Sequence, residues 1–181
     1  DSVELTGTVQ LDGSRPEPVS IPVVAKSPKY PVEHCGGPTK QSSRLLVDEH
    51  GGIANAVVWL QTTDAAPLES VSAVLDQQGC EFTPHVLLVP AGSTVVIRNS
   101  DPILHNLRIF RDADMLMHRW QRAQTDEVLW RFDEPGRYLV RCGVHAWMSA
   151  WVVVADHRYS ALSNAEGNFS IPEVPPGSYT L

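Results

Sequence analysis

The stretch Tyr138-Leu-Val-Arg-Cys142-Gly-Val-His145-Ala-Trp-Met148-Ser-Ala-Trp-Val-Val-Val154 contains two apolar runs with a short loop between them. Each run has the length and the composition of a β-strand. The loop presents a cysteine, a histidine three residues later and a methionine three residues further on, namely Cys142, His145 and Met148. A thiolate, an imidazole and a thioether suit a soft or borderline metal ion. The stretch therefore predicts a metal site in a turn between two strands.

A copper ion that changes between two oxidation states is held by a thiolate, two imidazoles and a weak axial sulfur. The loop supplies one imidazole, so the second must come from elsewhere in the chain. The segment Asn99-Ser-Asp-Pro-Ile-Leu-His105-Asn106 follows another apolar run and offers His105. Two sheets of a sandwich that meet at one end would bring this segment next to the loop. We therefore expect a copper site formed by His105, Cys142, His145 and Met148.

The composition is that of an all-β protein. The chain has 181 residues, 43% of them hydrophobic, which is enough for a packed core. It contains 14 prolines and 12 glycines among many short Val, Ile and Leu runs. Because no long segment repeats with the period of an α-helix, we predict a β-sandwich in which helix is scarce.

Charge and hydropathy exclude two classes of partner. The formal net charge is -7, and the 14 Lys and Arg residues are scattered, whereas nucleic-acid binding needs a basic face. No apolar run approaches the roughly 18 residues of a membrane span. The chain begins at Asp1 with neither Met nor a signal-like apolar segment, which we interpret as a processed or a trimmed N-terminus.

Turn residues divide the chain into short strands. We predict a strand at residues 3–9, a short strand at 21–25 within an otherwise loop-like segment 15–43, and a hairpin of residues 44–47 and 53–60. Residues 111–125 show no clean period and are predicted as a long surface loop with at most one helical turn. Further strands are predicted at residues 70–75, 85–89, 93–99, 104–110, 127–132, 138–142 and 150–155.

Ordered motifs over residues 80–155 resemble the cupredoxin family. They are Phe82-x-Pro84, Val89-Pro-Ala-Gly92-x-Thr-Val95, Asn99, His105-Asn106, Pro135-Gly-x-Tyr138 and Cys142-x2-His145-x2-Met148. The short ligand loop and the His-Asn step are similar to those of amicyanins, although Gly143-Val144 replaces a polar residue and a proline. The resemblance implies a Greek-key β-sandwich with His105, Cys142, His145 and Met148 as type 1 copper ligands. It also implies that Asn106 steadies the ligand loop.

The two ends of the chain resemble the halves of another module. Gly7-Thr-Val9, Ala56-Val-Val58, the turn at residues 164–167 and Pro175-Pro-Gly177 before Tyr179 are similar to the carboxypeptidase regulatory-like, or transthyretin-like, β-sandwich. This resemblance implies three segments: residues 1–67 and 157–181 as the two halves of the module, and residues 68–156 as a cupredoxin domain inserted between them. The polar break at residues 61–67 marks the first boundary.

The chain has three cysteines, an odd number. Because Cys142 lies in the metal-like loop, Cys35 and Cys80 are the candidates for one disulfide in an oxidising compartment. Two separate buried thiols remain the alternative, since connectivity cannot be deduced from sequence.

Other residues have competing interpretations. His85 is interpreted as a structural histidine, with an additional ligand as the alternative. Met115, Met117 and His118 resemble a soft-metal loading patch, although an apolar loop anchor is the simpler interpretation. Zinc could use the same Cys and His residues as copper, but an axial thioether favours the softer ion.

These patterns predict an extracytoplasmic, for instance periplasmic, electron-transfer protein rather than an enzyme. A hydrolase elbow Gly-x-Ser-x-Gly is absent from the sequence, and the seven histidines are too dispersed for a second copper centre. Trp147 and residues 102–104 would surround His145 with an apolar rim on which a redox protein docks. Trp147 folded inward as core is the alternative. The foreign end segments favour a second hypothesis, a structural or accessory subunit of a larger redox or cell-surface assembly, with or without copper.

Overall fold

Residues 2–25, 32–62, 68–124 and 127–181 are described by the computed structural model, and their regular structure is almost entirely β. A single turn of 3-10 helix covers Glu33–Cys35. The strands are β1 (Val3–Thr8), β2 (Ser20–Pro22), β3 (Thr39–Gln41), β4 (Val57–Trp59), β5 (Ser72–Gln78), β6 (Glu81–Thr83), β7 (Val86–Pro90), β8 (Ser93–Asn99), β9 (His105–Arg111), β10 (Asp114–Gln121), β11 (Val128–Phe132), β12 (Gly136–Cys142), β13 (Ser149–Ala155), β14 (Ser160–Leu162) and β15 (Asn168–Val174).

Two sheets form the main sandwich. One has five strands in the order β10-β9-β12-β13-β7, and the other has four in the order β11-β8-β5-β6. In β8, buried side chains alternate with more accessible ones, and in β12 Tyr138, Val140 and Cys142 are buried while the residues between them face outward. This period of two places one face of each sheet in a shared core, as expected for half-buried strands. The predicted all-β fold class is confirmed.

The pairing of β9 with β12 corrects one expectation. The two strands are antiparallel neighbours in the five-stranded sheet, with Cys142 opposite Leu107. His105, at the start of β9, is therefore brought to the metal-like loop within one sheet, and not by the meeting of two sheets. Main-chain hydrogen bonds between these two neighbouring strands hold His105 close to the loop that follows β12.

The predicted surface loop at residues 111–125 is wrong for most of its length. Asp114–Gln121 form β10, which pairs with β9 from Asp114 opposite Arg111 to Gln121 opposite His105. The register shifts between Met115 and Met117. Such a bulge breaks the alternation of inward and outward side chains, which is why the sequence shows no clean period there. Residue 125 lies outside the described residues.

The predicted hairpin of residues 44–47 and 53–60 is present only as a minimal antiparallel turn, with hydrogen bonds from Asp48 N–H to Gly52 O and from Ala54 N–H to Leu46 O. Val47 and Ile53 form a single bridge around a turn in which Asp48 accepts hydrogen bonds from two main-chain N–H groups. Val57–Trp59 pair instead with Ser160–Leu162, from the far end of the chain. Part of the loop-like segment 15–43, residues 26–31, lies outside the described residues.

The two ends of the chain pack together. β1 pairs with β15 and β4 pairs with β14, each in a two-stranded sheet. A second apolar cluster lies between these strands, apart from the core of the sandwich, and consists of Leu60, Tyr159, Ala161, Ile171 and Val174. Residues 63–67 of the predicted domain boundary lie outside the described residues, and the boundaries remain a prediction. Within the described ranges, we find no helix with the length and apolar character needed to cross a membrane.

A disulfide joins Cys35, in the 3-10 turn, to Cys80, in the turn between β5 and β6. Both residues are fully buried and belong to the core cluster of the sandwich. Of the two alternatives for these cysteines, the structure therefore has the bridge, and Cys142 is the free thiol. The bridge ties the N-terminal segment to the sandwich across a sequence separation of 45 residues.

Removing this bridge tests its contribution to stability. We expect the double variant Cys35→Ala/Cys80→Ala to lower the free energy of unfolding by about 4 kcal/mol, because the unfolded chain loses a constraint on a long loop. Urea unfolding of the oxidised protein and the variant measures the difference, with reduced wild-type protein as a control that keeps both side chains. A loss below about 1 kcal/mol in both comparisons would contradict a stabilising bridge.

Candidate metal centre

Three ligand atoms converge at one end of the sandwich. Cys142 Sγ lies 3.6 Å from His105 Nδ1 and 3.7 Å from His145 Nδ1, and the two Nδ1 atoms are 3.0 Å apart. The two histidines are fully buried, and Cys142 is 4% exposed. The structure thus brings together three of the four residues that the sequence singled out.

The triangle of Sγ and two Nδ1 atoms has the size of a metal site. A point equidistant from its corners lies about 2 Å from each atom, which matches metal–imidazole bonds of about 2.0–2.1 Å. Metal–thiolate bonds are slightly longer, about 2.3 Å, so a small movement of Cys142 completes the fit. The donor set and its dimensions therefore fit a first-row transition metal ion.

Main-chain hydrogen bonds hold the ligand loop closed. Cys142 N–H donates to Met148 O at 3.2 Å, and Met148 N–H donates to His145 O at 3.1 Å. Gly143 N–H donates to Asn106 O at 2.7 Å, and the Asn106 N–H lies 3.5 Å from Cys142 Sγ. The main chain of Asn106 therefore anchors the loop to β9, and a role of its side chain in steadying the loop stays a prediction.

The glycine at position 143, where the ligand loop of amicyanins has a polar residue, has a steric reason. A Cβ atom at this position would collide with Asn106 Oδ1 and with the guanidinium of Arg108. Those two groups hydrogen-bond to each other at 2.9 Å, so a side chain at position 143 would have to displace both. Glycine avoids this displacement where the loop closely approaches β9.

Asp101 orients His105. Its carboxylate lies 2.7 Å from His105 Nε2 and also accepts hydrogen bonds from the N–H groups of Gly79 and Cys80, at 2.5 and 2.8 Å. Burial alone would raise the pKa of Asp101, but the hydrogen bonds from His105 and the two amides outweigh burial and lower it. With Nε2 bound to Asp101, Nδ1 of His105 faces Cys142 and His145, where it donates to the thiolate in the metal-free site and would offer its lone pair to a metal ion.

The sequence pattern did not single out Asp101, although a signal was present. A histidine that binds a metal usually donates its other N–H to a carboxylate or a carbonyl. Asp101 is a carboxylate four residues before the expected ligand His105, and the search for such a partner would have found it.

Cys142 is set up as a thiolate. Burial would raise the pKa of its thiol, but hydrogen bonds from His105 and His145 and from the Asn106 N–H outweigh burial and lower the pKa to about 5. For His105, burial would lower the pKa, but Asp101 and Cys142 raise it. A thiolate is the form of cysteine that binds metal ions.

His145 is enclosed by the rest of the site. Its Nε2 is buried and has no hydrogen-bond partner among the described residues. The Trp147 ring lies beside it, with centroids 5.2 Å apart, and Trp147 Nε1 donates to Cys80 O at 2.9 Å. The half-buried Trp147 also packs against the core. His145 is fully buried, so it is not accessible within the expected apolar rim of Trp147 and residues 102–104.

Cys80 brings a second sulfur close to the histidines. One ligand atom each from Cys80, His105 and His145 lies within 4.8 Å of the others. Because Cys80 is bonded to Cys35, its sulfur is not available as a thiolate ligand. We therefore assign the thiolate position to Cys142.

Met148 lies in the core at 1% exposure. The site contacts described above involve its backbone N–H and C=O groups, and its thioether as an axial ligand stays a prediction. The other candidate residues lie outside the cluster. His85 Nδ1 is 2.9 Å from Ser149 O, His118 Nε2 is 2.8 Å from Asn106 Nδ2, and Met115 is 53% exposed. Met117 packs against the core.

No protein-family model and no curated protein matches the chain. Among solved structures, a purple cupredoxin from Nitrosopumilus maritimus is 23% identical with a TM-score of 0.41, over 46% of this chain and 99% of that one. Amicyanin from Paracoccus versutus is 18% identical with a TM-score of 0.42, over 56% and 99%. A copper-containing nitrite reductase from Thermus scotoductus is 21% identical with a TM-score of 0.43, over 53% of this chain and only 25% of that one. Similarity at this level identifies neither a ligand nor an activity.

The lowered pKa of Cys142 predicts a thiolate in the metal-free protein at neutral pH. As the pH falls through about 5, the thiolate takes up a proton and its far-ultraviolet absorption disappears. A pH titration of the metal-free protein by difference absorption against Cys142→Ser measures this transition. A band that develops only above pH 8, as for an ordinary thiol, would contradict the arrangement.

Asp101→Asn tests the orientation of His105. We expect affinity for Co²⁺, followed by its visible absorption, to fall about 10- to 100-fold because the carboxylate no longer fixes the imidazole. The matched control is Asp133→Asn, which removes the same charge from an exposed ion pair with Arg131. Equal affinities of the two variants would show that Asp101 does not position the ligand.

Proposed function

We propose that this chain is an electron-transfer protein that binds one copper ion through His105, Cys142, His145 and Met148. The observation that carries the proposal is the buried convergence of one low-pKa thiol and two imidazole Nδ1 atoms. This set, with a thioether in the same loop, matches the ligand preference of copper sites that transfer electrons, whereas a structural zinc site normally has four strong ligands.

Copper in such a site takes up and releases one electron as it changes between Cu(II) and Cu(I). The residues around the site restrict movement during this change. Asp101 fixes the ring of His105, and the hydrogen bonds between Cys142, His145 and Met148 close the loop. Gly143, bonded to Asn106, ties the loop to β9. A ligand set held in one geometry needs little reorganisation when its charge changes.

Burial of the ligands supports electron transfer over catalysis on a substrate. His105 and His145 have no exposed surface, and Cys142 has 4%. A substrate would therefore have no access to the ligand atoms, whereas an electron can pass through side chains that contact them. Trp147 beside His145 is such a side chain, and Leu104, at 37% exposure, lies before His105. We place the docking area of a redox protein around these two residues.

The disulfide supports a location outside the cytoplasm. Bridges such as Cys35–Cys80 form and persist in oxidising compartments, including the periplasm. The bridge covers one side of the cluster, because Cys80 lies beside both histidines.

The strands at the two ends of the chain support a further part of the proposal. β1 with β15 and β4 with β14 form a small unit around its own apolar cluster. We propose that this unit is a regulatory-like module that attaches the copper site to a larger assembly. Two of its exposed apolar side chains, Trp59 at 53% and Leu181 at 62%, line the same pocket, and such grouping favours an accessory role.

Copper loading tests the proposal. We expect the full chain to bind one Cu(II) and to show an intense visible thiolate-to-copper band with the electron paramagnetic resonance spectrum of a type 1 site. Cys142→Ser should abolish the band because the thiolate is its source. Met148→Leu should keep the band and shift it if the thioether is an axial ligand.

The control for this experiment is His118→Ala, which changes a histidine close to the loop but outside the cluster. The control should keep both the band and the one-to-one stoichiometry. An unchanged stoichiometry would also argue against copper loading by the patch of Met115, Met117 and His118. A colourless wild type after loading, or a band that survives Cys142→Ser, would disprove the proposal.

A further inference from the structure

A cleft of about 790 Å³ lies on the outer face of the five-stranded sheet. Its floor is formed by β12 and β13, and its opposite wall by residues of the segments 21–24, 40–44 and 54–57. The size is in the range of small-molecule binding sites, which is about 300–1,000 Å³. The cleft does not include the three converging ligand atoms, but Trp147 lines it and also contacts His145.

The charges in the cleft are mostly positive. Lys40 pairs with Glu81 at 3.3 Å, so these two charges balance. Arg44, Arg137 and Arg141 also line the cleft, and none of them has an ion pair within residues 2–25, 32–62, 68–124 and 127–181. Three guanidinium groups without an ion-pair partner make this cleft locally positive in a chain of net charge -7.

The sheet register concentrates this charge further. Arg141 of β12 lies directly opposite Arg108 of β9. Like charges at directly opposed positions destabilise a sheet, and a bound anion would remove this repulsion. Arg108 itself donates to Asn106 Oδ1, which leaves Arg141 as the guanidinium that faces the cleft.

The floor between the arginines is apolar and aromatic. Arg137, Leu139 and Arg141 alternate along β12, so their side chains share the outer face. Leu139 lies opposite Trp151 of β13, whose side chain is 39% exposed. Trp151 thus offers an accessible ring surface between two cationic side chains, on which a flat apolar group can pack.

We propose that this cleft binds a small aromatic carboxylate, with its carboxylate group paired to Arg141 and its ring packed on Leu139 and Trp151. Arginine matches a carboxylate with two parallel hydrogen bonds, and the apolar floor excludes water from one side of the pair. Trp147 places the bound ring near His145 across a single side chain. The proposed contacts involve none of the three converging ligand atoms, although Met148, the proposed axial ligand, also lines the cleft.

Isothermal titration of the metal-free full chain with 2-naphthoate tests this proposal. We expect one-to-one binding, and at least about tenfold weaker binding of the neutral analogue naphthalene-2-methanol, because a charged hydrogen-bond pair is lost. Arg141→Gln should weaken 2-naphthoate about tenfold or more. Trp151→Ser should weaken both compounds.

The matched control is Arg131→Gln, which removes the same charge from an exposed arginine on the other sheet and outside the cleft. It should leave 2-naphthoate binding unchanged. Equal binding of the acid and the neutral analogue, or equal loss in Arg131→Gln and Arg141→Gln, would overturn the proposal. Tighter binding of a glutamate-rich peptide than of 2-naphthoate would also overturn it, in favour of an acidic protein segment. Because the titration is done without copper, its failure leaves the copper assignment untouched.

Discussion

The antiparallel pairing of β9 with β12 is the constraint on which the rest of the structure depends. Its register sets Cys142 opposite Leu107, two residues after His105. The thiol at the end of β12 and the imidazole at the start of β9 therefore meet at the same end of the sheet. The same register places Asn106 where its carbonyl receives the Gly143 N–H, which closes the loop and brings His145 to the other two residues. A slip of one residue would turn these side chains to the opposite face of the sheet.

Burial and polar contacts compete throughout the cluster. Removing Cys142, His105 and Asp101 from water disfavours their charged forms, and each charge persists because a neighbour of opposite charge or a hydrogen-bond donor compensates it. The Asp101 carboxylate also accepts hydrogen bonds from the N–H groups of Gly79 and Cys80. One carboxylate therefore holds both the imidazole of His105 and the turn that contains the disulfide-bonded Cys80. The covalent link to the N-terminal segment is thereby coupled to the geometry of the site.

Sequence reasoning located most strands of the sandwich because their side chains alternate between core and solvent. It missed β10, where a bulge near Met115 breaks the alternation, and it placed a hairpin at residues 44–60, where β4 instead finds its partner near the other end of the chain. For the site, the residue types and spacing within the loop predicted Cys142 and His145, and the context of His105 predicted the second imidazole. Asp101, four residues before His105, carried a sequence signal as the partner of that histidine, but its contacts with the turn before β6 appear only in the folded chain.

The sequence by itself determined the all-β class, the position of the ligand loop and the identity of the three residues whose donor atoms converge, because alternation and donor chemistry are local properties of the chain. Only the tertiary structure decided that Cys35 and Cys80 are bonded while Cys142 is free, that His145 is fully enclosed, and that unpaired arginines share a cleft with Trp151. These features join residues far apart in the chain. Strand register and the packing of one segment on another bring such residues together, and neither is written in any short stretch of sequence.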